Sequence, residues 1–333
     1  MPELRRDPIT GRSVIVASGR AKRPRPQHDN SDQNRKDAEP CPFCPGNEAL
    51  TPPEVWSLRE PGTRADRPGW SVRAVPNKYP ALEPRGAAAA RQEGIYRSQD
   101  GLGAHEVIIE SPEHRTDVGA FDAARWGEVI RAYRARLAAL AGDPRWRYVL
   151  LYKNQGERAG ATLEHAHAQA IAMAEAPAAI LEELSRAKTS RDSAGRCVYC
   201  AMIEDELAGG ARLVTASANF VALCPFAPRF EYETWILPRH HSAAFEQITD
   251  EEGSELAGFL QNFFLRLHRV LGRPPLNYVI LTQPPRQAAG GYFHWRMEIL
   301  PQLNRAAGFE WGSGLWMNSL APEEAARSLR DAL

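Results

Sequence analysis

The feature that most restricts how this chain can fold is a repeated pair of cysteines. Cys41-Pro-Phe-Cys44 and Cys197-Val-Tyr-Cys200 share the Cys-x-x-Cys spacing, and each pair precedes two well-placed histidines. In the first half these are His114 and His165. In the second they are His241 and His294, with His240 able to replace its neighbour, since adjacent strand residues point to opposite faces. The interval between histidines is 51 residues in the first half and 53 in the second. Two thiolates and two imidazoles complete a closed tetrahedral zinc shell with no position left for a catalytic water. Two zinc ions per chain are therefore expected. A structural zinc in such a setting is worth about 10–16 kcal/mol of apparent binding free energy, enough to fasten loop to strand. Cys224 stands alone.

Compartment and charge narrow the reading. The opening stretch MPELRRDPITG lacks the apolar run of a leader, and no segment approaches a membrane-spanning length of apolar residues. A cytoplasmic enzyme is expected, in which paired cysteines read as metal ligands before disulfides. The proline-punctuated knuckle at Cys41 also differs from the helix-opening pair of a thiol oxidoreductase. Lysine plus arginine equals aspartate plus glutamate at 41 each, which argues against nucleic acid or a membrane surface as partner. Small anionic substrates need only a few local cations and stay open.

The 333 residues suffice for two compact domains, and the order of parts repeats. Each half opens with its cysteine pair, followed by an apolar strand, HEVIIESPEH (105–114) or ETWILPRHHS (233–242). An amphipathic helix follows. Its stripe is Trp126, Val129, Ile130, Tyr133, Leu137 and Leu140 in the first half, ended by Gly142. In the second, Thr249 and Glu252 form a capping-box pattern ahead of Leu256, Leu260, Phe263, Leu267 and Val270. The strands RYVLLYKN (147–154) and NYVILTQP (277–284) come next, then last strands over LEHAHAQAIAM (163–173) and YFHWRMEIL (292–300). The pattern predicts an α+β fold of two tandem repeats, each an antiparallel sheet with packed helices. The halves are placed at 1–185 and 186–333, with the polar tail KTSRDSAGR marking the link. Residues 24–40, including His28, and 85–94 read as loops, and His268 as a helix-surface residue.

The chemistry falls on Glu164-His165-Ala166-His167-Ala168-Gln169. On a strand His165, His167 and Gln169 share a face, while small alanines let the other face pack closely. Zinc at His165 would fix the backbone and present His167 one pleat away. A neutral imidazole attacks phosphorus well and departs readily from a phosphoramidate, which suits a relay. The matching place in the second half is Arg296, beside the retained His294, so only the first half carries the nucleophile.

These residues resemble the galactose-1-phosphate uridylyltransferase family of the histidine-triad superfamily. The resemblance covers almost the whole chain, through DPITGRSVIVASGRAKRP (7–24), CPFCPGNE (41–48), VRAVPNKYPAL (72–82), HEVIIESPEH, KNQG with HAHAQ (153–169) and GFEWGSGLWMN (308–318). The family motif is usually His-Pro-His-x-Gln, so Ala166 stands in place of proline. The resemblance implies histidine-triad-like repeats, with zinc at Cys41, Cys44, His114 and His165. It implies that His167 attacks the α-phosphorus of a nucleotide sugar and expels a sugar 1-phosphate. It makes Gln169 a hydrogen-bond partner of the phosphoryl oxygens. Asn77, Asn154 and Thr162 match positions that hold the nucleotide, Arg20 and Arg23 match a basic N-terminal segment, and Glu310 can bind a sugar hydroxyl. A homodimer is implied as well. The second cysteine–histidine set, Cys197, Cys200, His241 and His294, looks like that of a plant-type branch working as an ADP-sugar phosphorylase.

Four functions compete. A UDP-glucose–hexose-1-phosphate uridylyltransferase is placed first, with a sugar 1-phosphate as acceptor. An ADP-sugar phosphorylase or adenylyltransferase, with inorganic phosphate as acceptor, is the alternative. Hydrolysis is disfavoured because Gln169 stands where histidine-triad hydrolases carry a third histidine, and an amide cannot shuttle a proton. A non-enzymatic zinc module for nucleic acid is disfavoured by the neutral charge. Asn304 and Trp316, flanking Gly308-Phe309-Glu310, depart from the galactose-using pattern on the acceptor side.

Overall fold

The computed structural model describes residues 3–16, 40–86, 91–114, 117–287 and 289–333. Arg20, Arg23 and His28 lie outside them. The first repeat runs through strands β1 (Glu3–Arg6), β2 (Ser13–Val16), β3 (Trp56–Arg59), β4 (Trp70–Pro76), β5 (Arg91–Glu93), β6 (Tyr96–Ser98) and β7 (Gly103–Ile109). Helix α1 (Ala123–Gly142), β8 (Tyr148–Gln155) and β9 (His167–Met173) complete it. Helices α2 (Ala178–Ala194) and α3 (Val198–Gly209) lead to β10 (Leu213–Ala216), β11 (Phe220–Leu223) and β12 (Thr234–Pro238). Then come α4 (Asp250–Leu271), β13 (Leu276–Leu281), β14 (Arg296–Pro301), α5 (Gly308–Ser313), β15 (Trp316–Asn318) and α6 (Pro322–Arg330).

Ten of these strands form one sheet in the order β10-β11-β12-β14-β13-β8-β9-β7-β4-β3. Its two halves carry the same order, mirrored about an antiparallel seam in which Asn277 of β13 faces Asn154 of β8. The α+β arrangement of two tandem repeats is thus present, but the repeats share a sheet. They also share a core. α1 and α4 lie on one face, where Trp126, Leu137, Leu260 and Phe263 pack on Val149, Leu151, Ala168 and Ala170. The alanines of β9 give the close approach that small side chains allow. The other face is covered in the second half by α2 and α3, through Leu184, Tyr199 and Trp235. A three-stranded sheet, β1-β2-β15, ties the N-terminal hairpin to the late strand, with Trp316 opposite Val14.

Both helical stripes form as the apolar spacing dictates. Asp122 caps α1 by accepting from the Arg125 N–H at 2.8 Å. Thr249 and Glu252 close a reciprocal capping box on α4 at 3.1 and 2.7 Å. Three local expectations change. The polar tail after Leu184 is helix, continuing α2 to Ala194 with the pair Lys188–Asp192 at i,i+4, so residues 185 and 186 fall inside α2. Residues 91–94 of the second expected loop, 85–94, belong to a β-hairpin that runs on to Ser98. The last strand of each half starts later than alternation predicted, at His167 and Arg296, because His165 and His294 turn toward the cysteine pairs ahead of the ladder. No helix among the described residues is long and apolar enough to cross a membrane.

Candidate active site

Each repeat gathers its two cysteines and two histidines into one cluster whose ligand atoms all lie within 4.8 Å of one another. In the first, His165 Nδ1 is 3.6 Å from both Cys41 Sγ and Cys44 Sγ, and His114 Nδ1 is 3.5 Å from Cys44 Sγ. In the second, Cys200 Sγ is 3.4 Å from His241 Nδ1 and 3.3 Å from His294 Nε2. A tetrahedral zinc with these donors has ligand-to-ligand edges of about 3.3–3.8 Å, so both clusters fit a metal ion. The far ring nitrogens support this. His165 Nε2 donates to the Ser111 carbonyl at 2.7 Å and His241 Nε2 to that of Gly290 at 2.6 Å, leaving Nδ1 of each as the free lone pair. His294 differs: it presents Nε2, and its buried Nδ1 has no hydrogen-bond partner among the described residues. His240 turns away to Glu252 at 3.1 Å, so His241 is the member of the cluster.

His167 opens β9 directly after the first cluster. Its Nδ1–H donates to the His165 carbonyl at 2.8 Å, which fixes the tautomer and leaves Nε2 as the unprotonated nitrogen. The link between the cysteine–histidine cluster and His167 therefore runs through a backbone carbonyl as well as along the strand. Phe43, inside the cysteine knuckle, stands edge-on to the His167 ring at 5.2 Å. Burial, then the Lys153 ammonium, pushes the imidazole below its ordinary pKa, so it is neutral near pH 7. Lys153 lies on the helix-facing side, bonded to the His167 carbonyl at 3.0 Å and ion-paired with Glu110. Tyr133 of α1 and Tyr278 of β13 also bond Glu110, so both repeats brace the polar group beneath this strand. Isolated charges would be costly there, and the mutual pairing compensates.

Gln169 shares the His167 face. Its Oε1 receives Tyr152 OH at 3.1 Å, His105 Nε2 at 2.8 Å and Asn77 Nδ2 at 3.5 Å. Asn77, at the end of β4, is thereby joined to the site, and its Oδ1 accepts the Tyr79 N–H at 2.9 Å. Asn154 is two residues beyond Tyr152 on the same face of β8, held by Asn277 at 2.8 Å. Thr162 is exposed in the bend just before His165. Glu310 is not brought to His167. It caps α5 through the Ala307 N–H at 2.9 Å and lines a separate cleft with Arg229, Asn304, Arg305 and Trp316. His105 and Tyr152 were not anticipated, because only the strand register reveals that they meet Gln169.

Arg296, the counterpart of His167, is fully enclosed. Its guanidinium holds Glu183 at 2.6 and 3.0 Å and Glu298 at 2.8 Å, and lies 4.7 Å from the centre of the Trp235 ring. The second site is filled by its own ion pairs. It lies three strands from β9, about 14 Å at the usual strand spacing.

A repeated α+β half with a four-ligand cluster, a tautomer-fixed histidine at a strand start and a glutamine two residues on defines a class, and the chain belongs to the galactose-1-phosphate uridylyltransferase family. The sequence model of that family's N-terminal domain matches residues 1–177. Among its relatives, ADP-glucose phosphorylase of Arabidopsis thaliana is 34% identical over 335 residues, covering 99% of this chain and 93% of the relative. Galactose-1-phosphate uridylyltransferase of Thermotoga maritima is 26% identical over 340 residues, covering 99% and 98%. The crystal structure of the Arabidopsis thaliana ADP-glucose phosphorylase with bound ADP-glucose superposes with a TM-score of 0.83 at 32% identity, covering 99% and 98%. A uridylyltransferase structure gives 0.77 at 26%, covering 100% and 98%.

Proposed function

We propose that this chain transfers a nucleotidyl group from a nucleotide sugar through a covalent nucleotidyl-His167. The observation that carries the reading is the Nδ1–H bond of His167 to the His165 carbonyl, which commits Nε2 to be the nucleophile. His167 Nε2 attacks the α-phosphorus, a P–N bond forms, and the bond to the departing phosphate oxygen breaks to release sugar 1-phosphate. An acceptor phosphate oxygen then attacks the same phosphorus and the P–N bond breaks, regenerating the neutral imidazole. The amide of Gln169 and the side chains of Asn77, Asn154 and Thr162 hold the nucleotide and its phosphoryl oxygens. Arg20 and Arg23 would add charge from the N-terminal segment, while Glu310, in its separate cleft, takes no part in this reading. Both clusters hold zinc in this reading, and the closed four-ligand shell supplies rigidity rather than a reactive position.

For the donor and acceptor, an ADP-sugar with inorganic phosphate is the first choice. The Arabidopsis phosphorylase is the more similar of the two relatives, at 34% against 26%, and the second cysteine–histidine cluster is present in full. The uridylyltransferase reading is second, supported by full-length similarity to that enzyme. Incubation with a nucleotide sugar alone decides between them. The expected result is a mass increase of one AMP on the wild-type chain, located on His167 and absent in His167→Ala, which keeps its zinc. A UMP adduct would move the reading to the uridylyltransferase. His167→Ala should lose at least a thousandfold in transfer, about 4 kcal/mol of barrier. Free nucleotide released without any exchange of labelled sugar 1-phosphate would make the chain a hydrolase.

A further inference from the structure

The orientation of the Gln169 carboxamide is set from one side by an unusual convergence. The backbone N–H of Ala81 donates to His105 Nδ1 at 3.1 Å. A backbone amide can only donate, so Nδ1 is the acceptor and, in the neutral ring, Nε2 must carry the proton. That proton points at Gln169 Oε1, 2.8 Å away. The amide oxygen therefore faces His105, and the amide NH2 group faces away from it. Tyr152 OH reinforces the choice at 3.1 Å, and Asn77 Nδ2 adds a longer contact at 3.5 Å. His105 is mostly buried, and burial lowers its pKa against the raising effect of the Gln169 bond, so the neutral form is favoured.

We infer that His105 is a positioning residue for the transfer step: by donating to Gln169 Oε1 it turns the Gln169 amide N–H groups toward the phosphoryl oxygens. The inference rests on the nucleotidyl-histidine reading and adds to it the group that orients the glutamine. Without that donor only the Tyr152 hydroxyl, at 3.1 Å, and the longer Asn77 contact, at 3.5 Å, hold the amide oxygen, and a flipped carboxamide puts an oxygen lone pair against an anionic phosphate. A misaimed oxyanion donor loses its effect, and removing such a donor outright costs about 100–1,000-fold in rate. His105 makes no contact with the reacting atoms, and its effect passes through Gln169.

A double-mutant cycle on the full-length, zinc-loaded protein tests this, reading the rate of single-turnover adduct formation on His167. His105→Phe keeps the ring's bulk and removes the donor; it should slow adduct formation about 10–100-fold, a partial loss of that donor effect. Gln169→Ala should be slowed at least as much. In the double variant the losses should not multiply, because His105 has nothing left to orient. Tyr152→Phe, a milder change that leaves His105 in place, should cost a few-fold and likewise vanish in the Gln169→Ala background. Unchanged rates in His105→Phe, or losses that multiply, would overturn the role of His105 alone. Should His105→Phe lose zinc or melt early, His105→Leu, which removes the same donor from a smaller side chain, decides in the same cycle by the same criterion. Absence of any adduct on the wild-type chain would instead sink the nucleotidyl reading, and the role of His105 with it.

Discussion

Glu298 stands on the strand face where the first repeat has Gln169, and it is wrapped in cations. Burial alone would raise its carboxyl pKa, but Arg296 and Arg229 outweigh burial and hold it down to about 2. A carboxylate with a depressed folded-state pKa contributes stability that is complete above its unfolded value and is lost as pH falls through the folded one. The contribution should therefore fade between about pH 4.5 and 2, the two ends of that shift. Glu298→Gln should lower stability by about 3–5 kcal/mol at pH 7, since it leaves buried cations underpaired. Denaturant titrations at pH 7, 4 and 3 check this: the deficit of the variant must shrink toward pH 3, and a constant deficit would refute the assignment. The two cysteine–histidine clusters were legible residue by residue because the spacing of those residue types carries their convergence directly. Glu298, His105 and Tyr152 were not, because each gains its meaning from a neighbour on another strand.

Elements were read with unequal success, and the reasons are physical. Helices α1 and α4 follow from local signals, an apolar stripe and a cap, and replacing Thr249 with alanine should cost about 1 kcal/mol by removing the cap of α4. The strand starts at His167 and Arg296 escaped alternation because ligand geometry, a long-range effect, bends the chain first. Close packing inside the sheet is equally invisible from sequence. Gly103 at the start of β7 is an example, since a Cβ there would sit 2.3 Å from the Ala172 carbonyl oxygen of β9. A backbone oxygen cannot swing aside, so Gly103→Ala should destabilise the chain by about 1–3 kcal/mol. Thermal melts of the two alanine variants check both magnitudes. A Gly103→Ala protein melting with wild type would show that the strands can spread.

At the scale of the whole molecule, the duplication was legible from the cysteine pairs, but the seam was not: nothing in one sequence states that β8 and β13 join edge to edge. The two metal clusters are alike in donors and unlike in support. His165 and His241 are braced by carbonyls, whereas His294 has a buried, unpartnered Nδ1. Loss of such an outer partner typically costs about 10–100-fold in metal affinity, so of two bound zinc ions the C-terminal one should leave first under chelation. Metal analysis across a chelator titration, with Cys44→Ser and Cys200→Ser to mark each site, checks the order. The enclosure of Arg296 reaches further, into what descent from this chain can still reach. Histidine at 296 would strip Glu183 and Glu298 of the guanidinium they share in a dry interior and leave only Arg229 on Glu298, a penalty of several kcal/mol before any new chemistry could be rewarded. The second repeat is thereby locked by its own filling: each single step toward histidine is selected against, and a polar centre could open there only by replacing the arginine and its carboxylates at once.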